Sequence, residues 1–245
     1  MKKILFLIFP IFTSLGQMKK STLILAERKE FLGKLDSAII ILSDGLENNR
    51  SNESKYPLLL KRGYIMMSMN NIKNAESDFQ QAIHLFPDSN QAYAALGYLN
   101  LRTKRFFKSI DNFEKAIKRQ NKDLSVLFCL GHALWDVKNY DASVIQIDKV
   151  ISIDPHHPDA NYLKGRIFAR TGKFKEAIPY YNLALLLEPN SKIAEVYGYR
   201  GVAYLGFKEY VLAEQDLLKS IEKGMDRDEI NFALMEIDRY NQHKK

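Results

Sequence analysis

The chain of 245 residues contains one cysteine, Cys129, and none of the usual marks of an enzyme. A single thiol cannot form an intramolecular disulfide or a thiolate metal cluster, so neither device holds the fold together. The sequence contains no glycine-rich phosphate loop, paired zinc motif or nucleophile elbow. It therefore predicts a fold held by hydrophobic packing, with no catalytic residue, no cofactor and no bound metal.

Long hydrophobic runs are also missing, because no segment reaches the ~20 apolar residues that a membrane-spanning helix needs. One shorter run, 4–12, follows Lys2 and Lys3 and precedes small and polar residues. This order is typical of a cleavable signal peptide over residues 1–16, with cleavage expected after Gly16. The chain is thus expected to be periplasmic or secreted. A leader retained as a membrane anchor is the alternative.

Charge of one sign is in modest excess, with 36 basic and 29 acidic residues and a formal net charge of +7. Both signs are interleaved along the chain, and no basic stripe or nucleic-acid-binding motif accompanies the excess. A nucleic-acid partner is therefore not expected.

A repeating pattern takes the place of these missing motifs. Glycines recur at intervals of 34 residues, and of 36 for the last, and we call them the glycine column: Gly63, Gly97, Gly131, Gly165 and Gly201. Small residues follow 12 positions after each glycine: Ala75, Ser109, Ser143, Ala177 and Ala213. Large residues follow 16 positions after: Phe79, Phe113, Ile147, Tyr181 and Leu217. The spacing predicts two antiparallel helices per unit, with the glycine and the small residue allowing close approach.

The ends of the units fit this reading, since Pro87, Pro155 and Pro189 close three of them and would stop the second helix. The columns resemble the tetratricopeptide repeat, a 34-residue helix-turn-helix with the order Leu-Gly, Tyr, Ala, Phe, Ala and Pro. Three units depart from the pattern, carrying Arg62, Lys164 or Arg200 where it has leucine, and Asn121 replaces one proline.

The resemblance implies an all-α fold, a right-handed α-solenoid of tandem helix-turn-helix repeats. Five repeats are predicted at 56–89, 90–123, 124–157, 158–193 and 194–227. A degenerate N-terminal repeat is predicted at 17–55, and a C-terminal capping helix with a tail at 228–245. The Asn- and Ser-rich stretch 47–55 is expected to form a longer connection.

The resemblance also implies a concave groove lined by the first helix of each repeat, where ligands of the family lie. Positions three before and one after each glycine share a helical face. With neighbouring positions they give the candidate groove residues, predicted to bind a protein or peptide segment: Tyr64, Tyr98, Arg102, Phe128, His132, Trp135, Tyr162, Arg166, Arg170 and Tyr199. Aromatic and arginine side chains suit such a ligand because they offer large contact areas and carboxylate recognition.

Members of the family that capture a chaperone's C-terminal carboxylate do so with lysines and asparagines at fixed groove positions. Here those positions hold other residues, such as Leu60, Ala95, Cys129 and Leu163. The predicted function is an exported, non-catalytic scaffold that binds a protein or peptide other than a chaperone tail.

Two alternatives stay open. One is a structural subunit of a membrane-associated complex, anchored by the uncleaved leader. The other, less favoured, is a metal-binding or enzymatic protein that uses His156 and His157, which stand between two aspartates in a connection. A dyad of Cys129 and His132 is disfavoured, because no third orienting group is visible in the sequence.

Overall fold

The computed structural model describes residues 14–118, 123–187 and 193–243, with side chains from residue 22 onward. Residues 1–13 of the predicted leader, and Asn121 and Pro189 of the repeat pattern, lie outside the described residues. Within the described ranges the chain forms α-helices joined by short turns and contains no strand. The chain divides into two compact units, 1–104 and 105–245.

The first unit contains five helices: α1 (Ser14–Phe31), α2 (Leu35–Asn48), α3 (Asn52–Ser68), α4 (Ile72–Leu85) and α5 (Asn90–Arg102). The second contains eight: α6 (Phe106–Ile117), α7 (Leu124–Asp136), α8 (Tyr140–Ile153), α9 (Pro158–Arg170), α10 (Phe174–Leu186), α11 (Ile193–Gly206), α12 (Tyr210–Glu222) and α13 (Arg227–His243). Within the units, α3 packs on α4, α7 on α8, α9 on α10 and α11 on α12 as hairpins, as the period predicts. The repeat limits read from the sequence stay predictions.

Four glycines of the column, Gly63, Gly131, Gly165 and Gly201, each lie against the large residue 16 positions later. A Cβ atom added to Gly63 would lie 2.5 Å from Cε1 of Phe79, and one added to Gly165 would lie 2.8 Å from the Tyr181 ring. The small column is fully buried, and the Ser143 hydroxyl donates a hydrogen bond of 2.7 Å to the carbonyl of Gly131. The two columns therefore set the close approach of the paired helices.

The turn inside each hairpin uses a residue with positive φ. These residues recur with the repeat: Asn70, Lys104, Lys138, Gly172 and Lys208. At four of these turns the next amide closes a six-residue hydrogen-bonded cap, as Asn139 N does on Leu134 O at 2.9 Å. The first helix of each pair ends here because the left-handed conformation cannot continue an α-helix.

The cations that replace the family's leucine are paired with acids. Arg62 makes two hydrogen bonds, of 2.8 and 2.7 Å, to the Asp78 carboxylate, and Arg200 makes two, of 2.6 and 2.8 Å, to Asp216. Burial opposes the charge of Arg200, but its hydrogen bonds to Asp216 outweigh it and raise the pKa of the guanidinium. Lys164 forms an ion pair with Asp148. These three departures from the pattern are thus specific polar contacts between helices.

The predicted long connection at 47–55 is wrong. Helix α2 continues to Asn48 and α3 begins at Asn52, which leaves three residues between them. The side chain of Asn49 is buried and donates to the carbonyl of Gly45, so it caps the end of α2. Polar composition suggested a loop, but these side chains satisfy helix ends instead.

The C-terminal segment forms α13, whose Ile230, Ala233 and Ile237 are buried in one apolar cluster with Leu217 of α12. Tyr240 stacks on Tyr210, with ring centroids 3.8 Å apart. Helix α13 therefore covers the apolar side of the last hairpin and brings its first turns beside α11.

Candidate functional site

The ten candidate groove residues are divided between the two units. Tyr64, Tyr98 and Arg102 belong to the first unit, where Tyr64 is half-buried with its ring edge against Phe79, at 5.2 Å between centroids. Tyr98 is half-buried and Arg102 exposed. The other seven lie in the second unit.

Four of those seven line a single cavity of about 670 Å³ in the second unit: Trp135, Arg166, Arg170 and Tyr199. Helices α7, α9 and α11 provide these residues, and α13 adds Glu229, Ile230 and Phe232 to the wall. The remaining lining residues are Asp136, Lys138, Tyr140, Ala169, Gly172, Phe174, Tyr181 and Val202. The cavity is thus built of aromatic and charged side chains from the first helices of consecutive hairpins and from α13.

Arg166 occupies the centre of the aromatic part of the cavity. Its guanidinium carbon lies 4.7 Å from the ring centroid of Trp135 and 5.0 Å from that of Tyr199. A third ring, Tyr162, lies 5.5 Å away. A cation held against ring faces in this way is stabilised by their quadrupoles, yet its N–H groups stay free to hydrogen bond.

Tyr162 corrects the sequence prediction, because its side chain is only 3% exposed and belongs to the core. Its hydroxyl lies 2.7 Å from Oε2 of Glu195, to which it donates a hydrogen bond. Burial raises the pKa of Tyr162, the charge of Arg166 lowers it, and the hydrogen bond to Glu195 raises it further. Tyr162 is therefore a core residue whose ring lies beside Arg166, and it presents almost no surface to a ligand.

The reason for this error is visible in the other repeats. Positions three before the glycine are mostly buried, as Leu60 and Ala94 are, whereas Tyr64, His132 and Arg166, one after it, are half-exposed. The two positions are four residues apart, which places them on the same side of the helix but about 40° apart around it. Of these two neighbouring positions, the earlier one is mostly buried and the later one is half-exposed.

Phe128 and His132 lie outside the lining of this cavity. The Phe128 ring stacks on the imidazole of His157, with centroids 5.2 Å apart and planes inclined by 26°. His132 Nδ1 lies 3.2 Å from a carboxylate oxygen of Asp136. Phe128 and His132 on α7 thus lie apart from the cavity. Asp136, which contacts His132, is also one of the residues that line the cavity.

The two histidines of the metal alternative lie in the turn before α9 and at its start. His157 caps the start of α9, where its Nδ1 accepts a hydrogen bond of 3.2 Å from the amide of Ala160. His156 is exposed in the turn before it. Over the described ranges no cluster of three histidine, cysteine or acidic side chains is arranged to hold a metal ion.

The environment of Cys129 fits a packing role and does not fit a nucleophile. Burial, with a smaller effect of the Asp123 charge, raises the pKa of its thiol from 9.0 to about 11. The thiol is therefore protonated at neutral pH and is a weak nucleophile.

One polar group of the cavity was not predicted as a site residue. Tyr181 stands in the large column of the sequence pattern and is fully buried as expected, but its hydroxyl has no hydrogen-bond partner among the described residues. Burial raises the pKa of Tyr181, and the nearby charge of Arg166 lowers it. Its signal in the sequence was a hydroxyl in a column that otherwise holds phenylalanine, isoleucine and leucine.

Helical hairpins with a period near 34 residues and a cavity facing their first helices define a tandem helical-repeat binding protein. The tetratricopeptide repeat family model matches residues 60–123 and 130–192, more than half of the chain. The chain belongs to the tetratricopeptide repeat family, as its columns predicted.

Curated relatives are longer proteins. Human "Tetratricopeptide repeat protein 13" is 24% identical over 140 residues, which are 55% of this chain and 16% of that protein. The chain spans about a fifth or less of the length of the curated relatives it matches first. The similarity therefore concerns the repeat region.

Two solved structures share the fold over most of their length. YrrB, a tetratricopeptide repeat protein, superposes with a TM-score of 0.68 and 18% identity over 79% of this chain and 97% of YrrB. A tetratricopeptide repeat protein from Parabacteroides merdae gives a TM-score of 0.73 and 17% identity, over 90% and 88% of the two chains. The predicted α-solenoid class is confirmed.

Proposed function

We propose that the protein is an exported, non-catalytic scaffold that binds a peptide segment of a partner protein in the cavity of its second unit. The observation that carries the proposal is the set of side chains on that wall: the rings of Trp135 and Tyr199 lie against Arg166, which has no ion-pair partner among the described residues, and Phe232 lines the same cavity. Tryptophan, tyrosine and arginine dominate the energetics of protein interfaces.

The size of the cavity supports a segment of a polypeptide as the ligand. Its volume of about 670 Å³ falls in the range of sites that enclose drug-sized ligands, roughly 300–1,000 Å³. Phe232 on α13 is 60% exposed although it is a large apolar side chain. An exposed phenylalanine on a cavity wall is well placed to cover an apolar group of a bound segment.

The family provides general support for protein binding. YrrB, which shares this fold, is described as having an unusual peptide-binding site. The support for a peptide ligand here rests on the residues of this chain.

Export is proposed from the leader, with its lysines, short apolar run and small residues before Gln17. In the part of the chain that the structure describes, no helix combines the length and apolarity needed to cross a membrane. Ala26 of α1, which is fully buried in the first core cluster, follows the expected cleavage point. We therefore expect the mature chain from Gln17 to keep the α1–α2 hairpin; a mature N terminus at Met1 would favour the anchored alternative.

The binding proposal is tested with peptides selected from a displayed random library on the immobilised full chain, then measured by calorimetry. The double variant Trp135→Ala/Phe232→Ala should weaken binding at least about tenfold, since each removes a large contact in the cavity. The matched control is Phe107→Ala/Leu186→Ala, whose side chains are 79% and 77% exposed outside the cavity lining. Equal affinity of both variants, with unchanged helicity, would contradict the proposal.

A further inference from the structure

Arg166 has no anionic partner in the part of the chain that the structure describes. Its guanidinium lies against the rings of Trp135, Tyr162 and Tyr199, and the described residues place no carboxylate in an ion pair with it. This differs from Arg62 and Arg200, whose guanidinium groups each bind an aspartate with two hydrogen bonds. A half-buried guanidinium prefers a planar anionic partner that can accept two parallel hydrogen bonds.

The hydroxyl of Tyr181 is a second, independent observation in the same cavity. The side chain is fully buried, lines the cavity and lacks a hydrogen-bond partner among the described residues. Buried hydroxyl groups are almost always paired, because an unpaired one loses its hydrogen bonds to water without replacement. An unpaired donor beside an unpaired cation points to an acceptor that comes from outside the chain.

The charge of the cavity favours a singly charged ligand group. The lining contains three cations, Arg166, Arg170 and Lys138, and two acids, Asp136 and Glu229, so the positive excess is small. Asp136 is close to His132, and Glu229 lies in the first turn of α13, where a helix start stabilises acids. A carboxylate matches this excess better than a phosphate group with two charges.

We infer that the cavity recognises an acidic side chain, aspartate or glutamate, within an extended peptide segment. Its carboxylate accepts hydrogen bonds from the Arg166 guanidinium and from the Tyr181 hydroxyl. The inference rests on the proposed peptide-binding function and names the chemistry of its ligand. A side chain is favoured over a chain terminus because a terminal carboxylate would bring backbone amides among the rings, where they would lack partners.

The test uses a library whose peptides are fused to the carrier at their C termini, so that only side chains supply carboxylates. A selected peptide is then synthesised with amidated C terminus in two forms, with glutamate or glutamine at the acidic position. The full chain should bind the glutamate peptide at least about tenfold more tightly, as expected for a hydrogen-bonded ion pair. Arg166→Gln should reduce this ratio to about one, whereas the matched control Arg239→Gln, on an exposed part of α13, should leave it unchanged.

Tyr181→Phe separates binding from folding. If the hydroxyl serves a ligand, its removal should lower the glutamate-to-glutamine ratio several-fold and raise the urea midpoint of the free protein, because an unpaired buried donor is lost. A hydroxyl with a structural role would move the midpoint downward and leave the ratio unchanged, which would overturn this part of the inference.

The peptide experiments also separate a failure of the carboxylate inference from a failure of the proposed peptide binding. Selected peptides that bind without preference for an acid would overturn the carboxylate inference and leave the proposed function standing. A second library displays peptides with free C termini; strong binding only of those peptides would assign the carboxylate to the chain end and overturn the side-chain assignment. No binding of any library would contradict the peptide-binding function itself.

Discussion

At the scale of single residues, the cations before the glycine column replace a packing contact with a polar one. Arg62 binds Asp78 of α4 and also donates a hydrogen bond of 2.9 Å to the Ser43 hydroxyl of α2. Arg200 has the same arrangement, with Asp216 of α12 and Asn182 of α10. Each arginine therefore ties its own hairpin together and links it to the hairpin before.

The Arg62–Asp78 pair predicts an asymmetric mutational response. Arg62→Leu restores the family's residue but leaves the Asp78 side chain, which is 3% exposed, as an unpaired buried carboxylate. We expect a loss of about 3–5 kcal/mol in the free energy of unfolding, measured in urea. The double variant Arg62→Leu/Asp78→Leu removes both charges and should recover most of it. An equal loss in both variants would show that the pair is not the cause.

Cys129 predicts a pH dependence at alkaline pH. The thiol of the native chain should titrate near pH 11 instead of 9, since burial and then the Asp123 charge disfavour the thiolate. Because the folded-state pKa is raised, the contribution to stability is complete below pH 9 and is lost as the pH rises toward 11. The pH profile of Cys129 alkylation by iodoacetamide, native against urea-unfolded, checks the shift because only the thiolate reacts, and Cys129→Ala is the control. A native midpoint near 9 would contradict it.

At the scale of helices and turns, the recurring positive-φ residue predicts a simple stabilisation. Lys208 has φ of 64° at the turn between α11 and α12, where Gly172 serves the equivalent turn between α9 and α10. Lys208→Gly should raise the free energy of unfolding by about 0.5–1 kcal/mol, because glycine adopts this conformation without steric cost. The reverse change, Gly172→Lys, should lower it. Urea unfolding measures both, and a loss on Lys208→Gly would contradict the turn assignment.

Much of the helix pairing could be predicted from the sequence. The glycine and large columns record a contact inside one hairpin, such as Gly63 against Phe79, and a fixed spacing is enough to find it. The end of α2 could not be found in this way, because the capping amide of Asn49 resembles a loop residue in composition.

The candidate site was predictable only in part, for a related reason. Trp135, Arg166 and Tyr199 follow from their place on the first helices, but their meeting depends on how successive hairpins pack. Phe232 entered the wall through α13, an element outside the repeat pattern. Tyr162 was misplaced because the groove rule assumed similar exposure for two neighbouring positions, of which the earlier is mostly buried.

At the scale of the whole molecule, the second unit combines a structural role with the proposed binding role. Its helix pairs form the core, and the same first helices supply the cavity wall that we assign to peptide binding. Helix α13 covers the last hairpin and also contributes Glu229 and Phe232 to the cavity. The same helix therefore covers the last hairpin and completes the wall of the cavity.

The central claim is that a peptide segment occupies this cavity, and Trp135 reports on it directly because it is the chain's single tryptophan. Its ring lies 4.7 Å from the Arg166 guanidinium carbon and lines the cavity. Titration of a library-selected peptide should shift the tryptophan emission saturably and protect it from iodide quenching, with the affinity that calorimetry gives. Calorimetric binding of the same peptide with no change in emission or quenching would place the ligand elsewhere and contradict the account.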